Sequence, residues 1–107
     1  MLYLHPLIYK LSEQSSGTGT REAGERIRNE IVNLRNETCS PVELDFTGVS
    51  VVSSSFADEL IGKLVAEYGF FGFNQGFRLK GMNSTVQSIV NRSVSQRMAA
   101  TFVPDKV

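Results

Sequence analysis

The chain is poor in the side chains on which most nucleophilic and metal-assisted chemistry depends. It has one histidine, His5, one cysteine, Cys39, and no tryptophan among its 107 residues. A tetrahedral zinc site draws on several thiolates and imidazoles. A Ser–His or Cys–His couple needs an imidazole beside its nucleophile, so every such scheme here rests on His5. A lone thiol closes no internal disulfide, which excludes a small secreted fold stapled by bridges. Charge of one sign is also missing: 11 Lys and Arg balance 11 Asp and Glu. Without a cationic excess, the counterion release that drives nucleic-acid binding is weak, and so is attraction to an anionic membrane surface. No apolar run approaches the roughly 18 residues of a transmembrane helix. The apolar start, Leu2 to Tyr9, is interrupted by His5 and Pro6 and has no basic region before it or small-residue cleavage site after it, unlike a secretion signal. These absences lead us to expect a cytoplasmic protein with no metal, no cofactor, no nucleic acid and no membrane partner.

What is present suits one hydrophobic core. Hydrophobic residues make up 41% and charged residues 21% of the chain, an ordinary balance for a single domain of this length. Residues 1–107 therefore read as one domain, with an edge strand over 2–11, a flexible loop over 12–20, a core over 21–98 and a tail over 99–107. Pro6 assigns the first strand to an edge, or splits it in two, because proline donates nothing to a ladder. Ser15-Ser-Gly-Thr-Gly-Thr20 reads as a flexible connection.

From Arg21 the period becomes helical. Ala23, Ile27, Ile31 and Leu34 share a face, Thr18 or Thr20 is placed to cap the start, and the helix is expected to end near Asn36. Gly24 weakens its first turn. Val42-Glu-Leu-Asp-Phe46 alternates as a half-buried strand does, and Val49, Val51 and Val52 suggest a further short extended run. Phe56, Leu60, Leu64 and Tyr68 then define a second helix, with Ser55 and Asp58 at capping-box spacing and Gly69 as its stop. Phe70 to Gly76 reads as an aromatic loop, Phe77 to Lys80 as a strand, and Asn83 or Ser84 as the cap of a third helix burying Val86, Ile89, Val90 and Val94. Strands and helices alternate, which predicts an α/β domain with a small mixed, partly parallel sheet.

Candidate chemistry is sparse. Glu43 and Asp45 lie on one strand face, since residues i and i+2 point the same way. They read as a solvated face; an enzyme using them with Ser54 is the catalytic alternative, and we expect no enzyme. Gly17-Thr-Gly19 with Thr20, ahead of a helix, has the outline of an anion cradle. It lacks the Walker lysine and the third glycine of a dinucleotide fingerprint, so a plain linker competes with that reading. A small-molecule or nucleotide-binding domain holding an anion at the helix starts near Thr20 and Ser55 is the alternative to an interaction module. Phe70 and Phe71 sit beside glycine in a short stretch, where at least one is expected to be exposed. An exposed aromatic patch suggests a protein contact or a homo-oligomer.

The most informative stretch runs from Val42 to Lys63. Leu44-Asp-Phe-Thr-Gly-Val49 is followed by Val51-Val52 and then by Ser53-Ser54-Ser55 at a helix start. This arrangement resembles the STAS domain, the fold of sulfate-transporter cytoplasmic domains and bacterial anti-sigma factor antagonists. Those domains carry a strand, a Gly-Val turn, a short apolar run, and Asp-Ser-Ser/Thr-Gly opening a helix. On that resemblance Ser53 takes the acidic position, Ser54 the switch serine, Ser55 its neighbour and Phe56 the glycine. Together with Ser54-Ser-Phe-Ala-Asp-Glu-Leu60, the stretch is more similar still to a bacterial family of STAS-like domains of unknown function, over Val42 to Arg97. The resemblance implies a non-catalytic signalling module. Its implied partner is a regulator, such as a histidine-kinase-like ATPase that phosphorylates the serine or binds the domain. Ser53, Ser54 and Ser55 would centre the contact surface, with Asp58 and Glu59 at its rim. A phosphoserine at a helix start carries about −1.5 to −2 charge and is favoured by the dipole, whereas the two acids one turn later would oppose it. The other role open to Ser54 and Ser55 is simply to cap the helix.

Overall fold

The computed structural model describes the backbone of residues 5–102 and the side chains of residues 5–99. Over that span the order is β1 (Leu7–Lys10), a 3-10 turn (Leu11–Glu13), α1 (Arg21–Thr38), β2 (Val42–Asp45), α2 (Ser54–Ala57), a π-helical turn (Asp58–Gly62), α3 (Lys63–Gly76), β3 (Phe77–Lys80) and α4 (Ser84–Phe102). The three strands form one sheet in the order β1-β2-β3, and both pairings are parallel. Of the expected mixed, partly parallel sheet, the described residues form the parallel part alone. The reason is topological: every strand-to-strand connection carries helix, as a parallel pair requires.

Register explains the two faces of the sheet. Val42 aligns with Leu7 and Phe77, and Leu44 with Tyr9 and Leu79, so this row faces the helices. The alternate row joins Glu43 to Ile8 and Arg78, and Asp45 to Lys10 and Lys80. Val42 and Leu44 are buried, while Glu43 and Asp45 are only half-buried. The outer face is therefore neutralised by flanking cations, Lys80 Nζ lying 3.5 Å from Glu43 Oε2. The anticipated solvated face is what the fold builds.

The first strand is shorter than 2–11. Leu11 leaves the sheet for the 3-10 turn, where its side chain is buried, and residues 2–4 lie outside the described residues. The 12–20 segment is not a loose tether. Thr18 donates from Oγ1 to the Val51 carbonyl at 2.9 Å and accepts at its own carbonyl from the Ser53 N–H at 3.1 Å. The Tyr9 hydroxyl, bonded to Glu30 and Gln14, fastens β1 to α1.

Thr20, rather than Thr18, caps α1, its Oγ1 accepting from the Ala23 N–H at 3.0 Å. Ala23, Ile27 and Ile31 are buried as their period demands. The helix extends two residues past Asn36 and closes on Cys39, whose left-handed backbone (φ 58°) lets its N–H reach the Arg35 carbonyl. Gly24 weakens the helix but admits a neighbour. A Cβ there would lie 2.9 Å from the Phe56 carbonyl oxygen and 3.0 Å from Glu59 Cβ.

The residues 49–52 form no strand, because their backbone is taken up by loop contacts. Asn83 donates to the Val49 and Ser50 carbonyls, and Thr18 to that of Val51. Gly69 does interrupt the second helical stretch, at φ 76° and ψ 165°. Helix then resumes, so Phe70 to Gly76 is a further helical segment rather than a loop. It turns Phe73 inward to stack on Phe77, with ring centroids 5.6 Å apart. Asn83 caps α4 through Val86. Val86 and Val90 are buried, with Ile89 and Val94 packed beside them. The helix also continues beyond Met98 to Phe102, where a tail was expected.

At the centre of the helical layer lies the π-helical turn, packed between α1 and α4. Leu60 and Ile61 are fully buried in it.

Candidate functional site

The site is built at the start of α2. Ser53 has an extended backbone, and its Oγ accepts from the Phe56 N–H at 3.0 Å while its carbonyl accepts from the Ala57 N–H. This corrects the expected capping box: Ser53, not Ser55, is the cap, and Asp58 turns away to an arginine. The helix begins two residues before Phe56, with Thr18 holding the Ser53 N–H at its start. Ser54 is exposed and Ser55 half-buried. Neither hydroxyl makes a hydrogen bond to any described residue.

The next turn is π-helical, with the Lys63 N–H bonded to the Asp58 carbonyl five residues back. Its two acids have separate fates. Arg97 of α4 binds Asp58 through both of its oxygens at 2.7 Å. Arg21 of α1 adds a longer contact of 3.4 Å. The arginine hydrogen bond holds the Asp58 carboxyl below the usual carboxylate range. Glu59 is 3% exposed and receives Arg21 at 2.8 Å, Arg28 at 2.7 Å and Lys63 at 3.0 Å. Burial pushes the Glu59 carboxyl up, but hydrogen bonds from Arg28, Lys63 and Arg21 outweigh it and bring the group down to about 2. Glu59 is therefore no rim residue. It is a buried counter-ion joining α1, the π turn and α3, and the close approach at Gly24 lets α1 deliver its arginines there. With both acids engaged by cations, their opposition to negative charge at Ser54 is largely cancelled.

These elements enclose a groove of about 500 Å³. Ser54, Ser55 and Asp58 form one wall, Arg21 the mouth on the α1 side, and Arg92, Ser93, Gln96 and Arg97 the wall from α4. The α4 residues were missed in the sequence, where only the apolar stripe of that helix was interpretable. Arg92, Gln96 and Arg97 sit beside the stripe and announce nothing until α4 is laid across α2.

The remaining candidates lie elsewhere. Gly17, Gly19 and Thr20 are exposed and do not line the groove, and the Thr20 hydroxyl is committed to its helix. Phe70 and Phe71 are both exposed, at 57% and 77%. Phe70 borders a separate cavity of about 300 Å³ with Ile61, Val65 and Phe73. His5 and Cys39 are exposed and far apart in role: one precedes β1, the other ends α1. Among the described residues no group of three or more His, Cys, Asp or Glu is placed to hold a metal ion. Nor is any described helix long and apolar enough to cross a membrane.

A small parallel sheet, one helical layer and a serine-capped helix start define an α/β domain of STAS-like design. Residues 23–87, well over half of the chain, match the family described as STAS-like domain of unknown function (DUF4325). The chain belongs to this family. No curated protein and no solved structure gives a significant match to it.

Proposed function

We propose that this protein is a non-catalytic signalling module of the bacterial cytoplasm that works by binding a regulatory protein. The contact surface is the start of α2, centred on Ser53, Ser54 and Ser55. Ser54 is the residue on which a histidine-kinase-like ATPase would act as a switch. One observation carries this reading above the others. Capping is performed by Ser53, which leaves the Ser54 hydroxyl exposed and uncommitted. A serine needed only as a cap would have its oxygen occupied. The surrounding charge supports the same reading, because Arg97 neutralises Asp58, Arg21 is shared between Asp58 and Glu59, and Arg92 adds a further cation to the groove.

Two measurements test it. Protein purified from its own cells should show, by intact mass, a population heavier by one phosphate that is absent from Ser54→Ala. Capture from the same cells should recover an ATPase or regulator, and Ser54→Asp should weaken that capture. An unmodified mass under every growth condition, with capture indifferent to Ser54→Asp, would remove the proposed switch.

A further inference from the structure

Five side chains around the groove are uncommitted, and all five are hydrogen-bond donors. The hydroxyls of Ser54, Ser55 and Ser93, the Gln96 amide and the Arg92 guanidinium make no hydrogen bond or ion pair to any described residue. Ser93 is the telling member. It is only 4% exposed as a residue, and its hydroxyl, which has no protein partner, keeps its remaining access where the residue borders the groove. The charge of the lining is equally one-sided. Three guanidiniums, Arg21, Arg92 and Arg97, line the groove beside one carboxylate, Asp58, while Glu59 holds Arg21 from behind at 2.8 Å, although the whole chain has no net charge. That carboxylate has both oxygens occupied by Arg97, so the remaining groups are guanidinium donors and hydroxyl or amide groups that can turn a donor toward the groove.

We propose that this groove binds the phosphate monoester group of a small phosphorylated ligand. A phosphate monoester presents three terminal oxygens and close to two negative charges, which match several donors and guanidinium forks at once. Arg92 supplies the mobile charge, and Arg21 and Arg97 the fixed field. Ser54, Ser55 and Ser93 supply hydroxyls, which rotate to meet whichever oxygen faces them. The volume of about 500 Å³ exceeds what a bare ion needs and falls in the range of small-molecule sites, so part of an organic group enters with the phosphate. No protein partner is needed for such binding, so this inference and the signalling role fail or survive separately.

The test uses the full chain and amide-resolved NMR, with ribose 5-phosphate, inorganic phosphate and ribose as probes. Ribose 5-phosphate is expected to give saturable shifts concentrated at residues 54–55 and 92–97. Inorganic phosphate should move the same amides more weakly, and ribose should move none. Arg92→Ala, which removes an exposed side chain and should leave the fold intact, is expected to weaken ribose 5-phosphate by at least about tenfold. Ser93→Ala is expected to weaken it too. Absence of saturation at about 10 mM, a Kd unchanged by Arg92→Ala, or shifts scattered over the cationic surface would each overturn the proposal.

Discussion

Arg97 meets Asp58 fork to fork, Nε donating to Oδ1 and Nη2 to Oδ2, each at 2.7 Å. This contact fixes α4 against the π-helical turn and sets the width of the groove that Ser54 enters. Two parallel hydrogen bonds specify angle as well as distance, which a single point charge does not.

Arg97→Lys keeps the charge and loses the fork. Both side chains of the pair are partly exposed, at 33% and 25%, so the cost stays well below that of a buried ion pair. Urea unfolding should show a loss of about 1 kcal/mol. Asp58→Asn should cost a similar amount, and the double substitution less than the sum of the two. Strict additivity would show that the fork contributes nothing.

Glu59 makes stability depend on acid. Its folded pKa of about 2 lies below the ordinary 4.5. A carboxylate lowered in this way contributes stability above its unfolded pKa and loses it as pH falls through the folded value. The unfolding free energy should hold steady above pH 4.5 and decline from there toward about 2, with Asp58 adding to the fall in the same direction. Glu59→Gln should flatten that decline. At neutral pH it should cost about 2–3 kcal/mol, less than a fully enclosed pair because Arg21 and Lys63 are half in water. Denaturant titrations at stepped pH read both effects.

Gly24→Ala should run against helix propensity. Alanine in an exposed helix gains about 1 kcal/mol over glycine, but here its methyl would press on the Phe56 carbonyl at 2.9 Å. A net loss of about 1–3 kcal/mol is expected, read as a lower melting temperature. A gain would show that α1 and α2 separate easily.

The serines should divide in a stability scan. Ser53→Ala removes the cap and should cost about 1 kcal/mol. Ser54→Ala and Ser55→Ala touch no intramolecular bond and should stay within about 0.5 kcal/mol. Equal losses at Ser53 and Ser54 would mean that capping is shared.

Period and punctuation made the architecture legible. Ala23, Ile27 and Ile31 announced α1, the alternation of Val42 and Leu44 announced β2, and Gly69 marked the break in the second helical stretch. Errors arose where tertiary partners decide. Asp58 at capping-box distance from Ser55 looked local, but Arg97, 39 residues away, holds it instead. Glu59 looked like a rim acid, because nothing in its neighbourhood shows that two arginines of α1 converge on it. Phe70 to Gly76 looked irregular for its glycines, yet Phe73 finds Phe77 and draws the segment into helix. The triplet itself was recognisable, but the α4 wall opposite it was not, since Arg92, Ser93 and Gln96 join the groove only through helix packing.

The contact face at the start of α2 is tested most directly by cross-linking the protein to its captured partner in its own cells and mapping the links by mass spectrometry. Links are predicted to cluster at residues 53–58 and on the facing side of α4, and to thin out in Ser54→Asp. Links confined to the outer sheet face or to Phe70 and Phe71, and unaffected by that substitution, would contradict it.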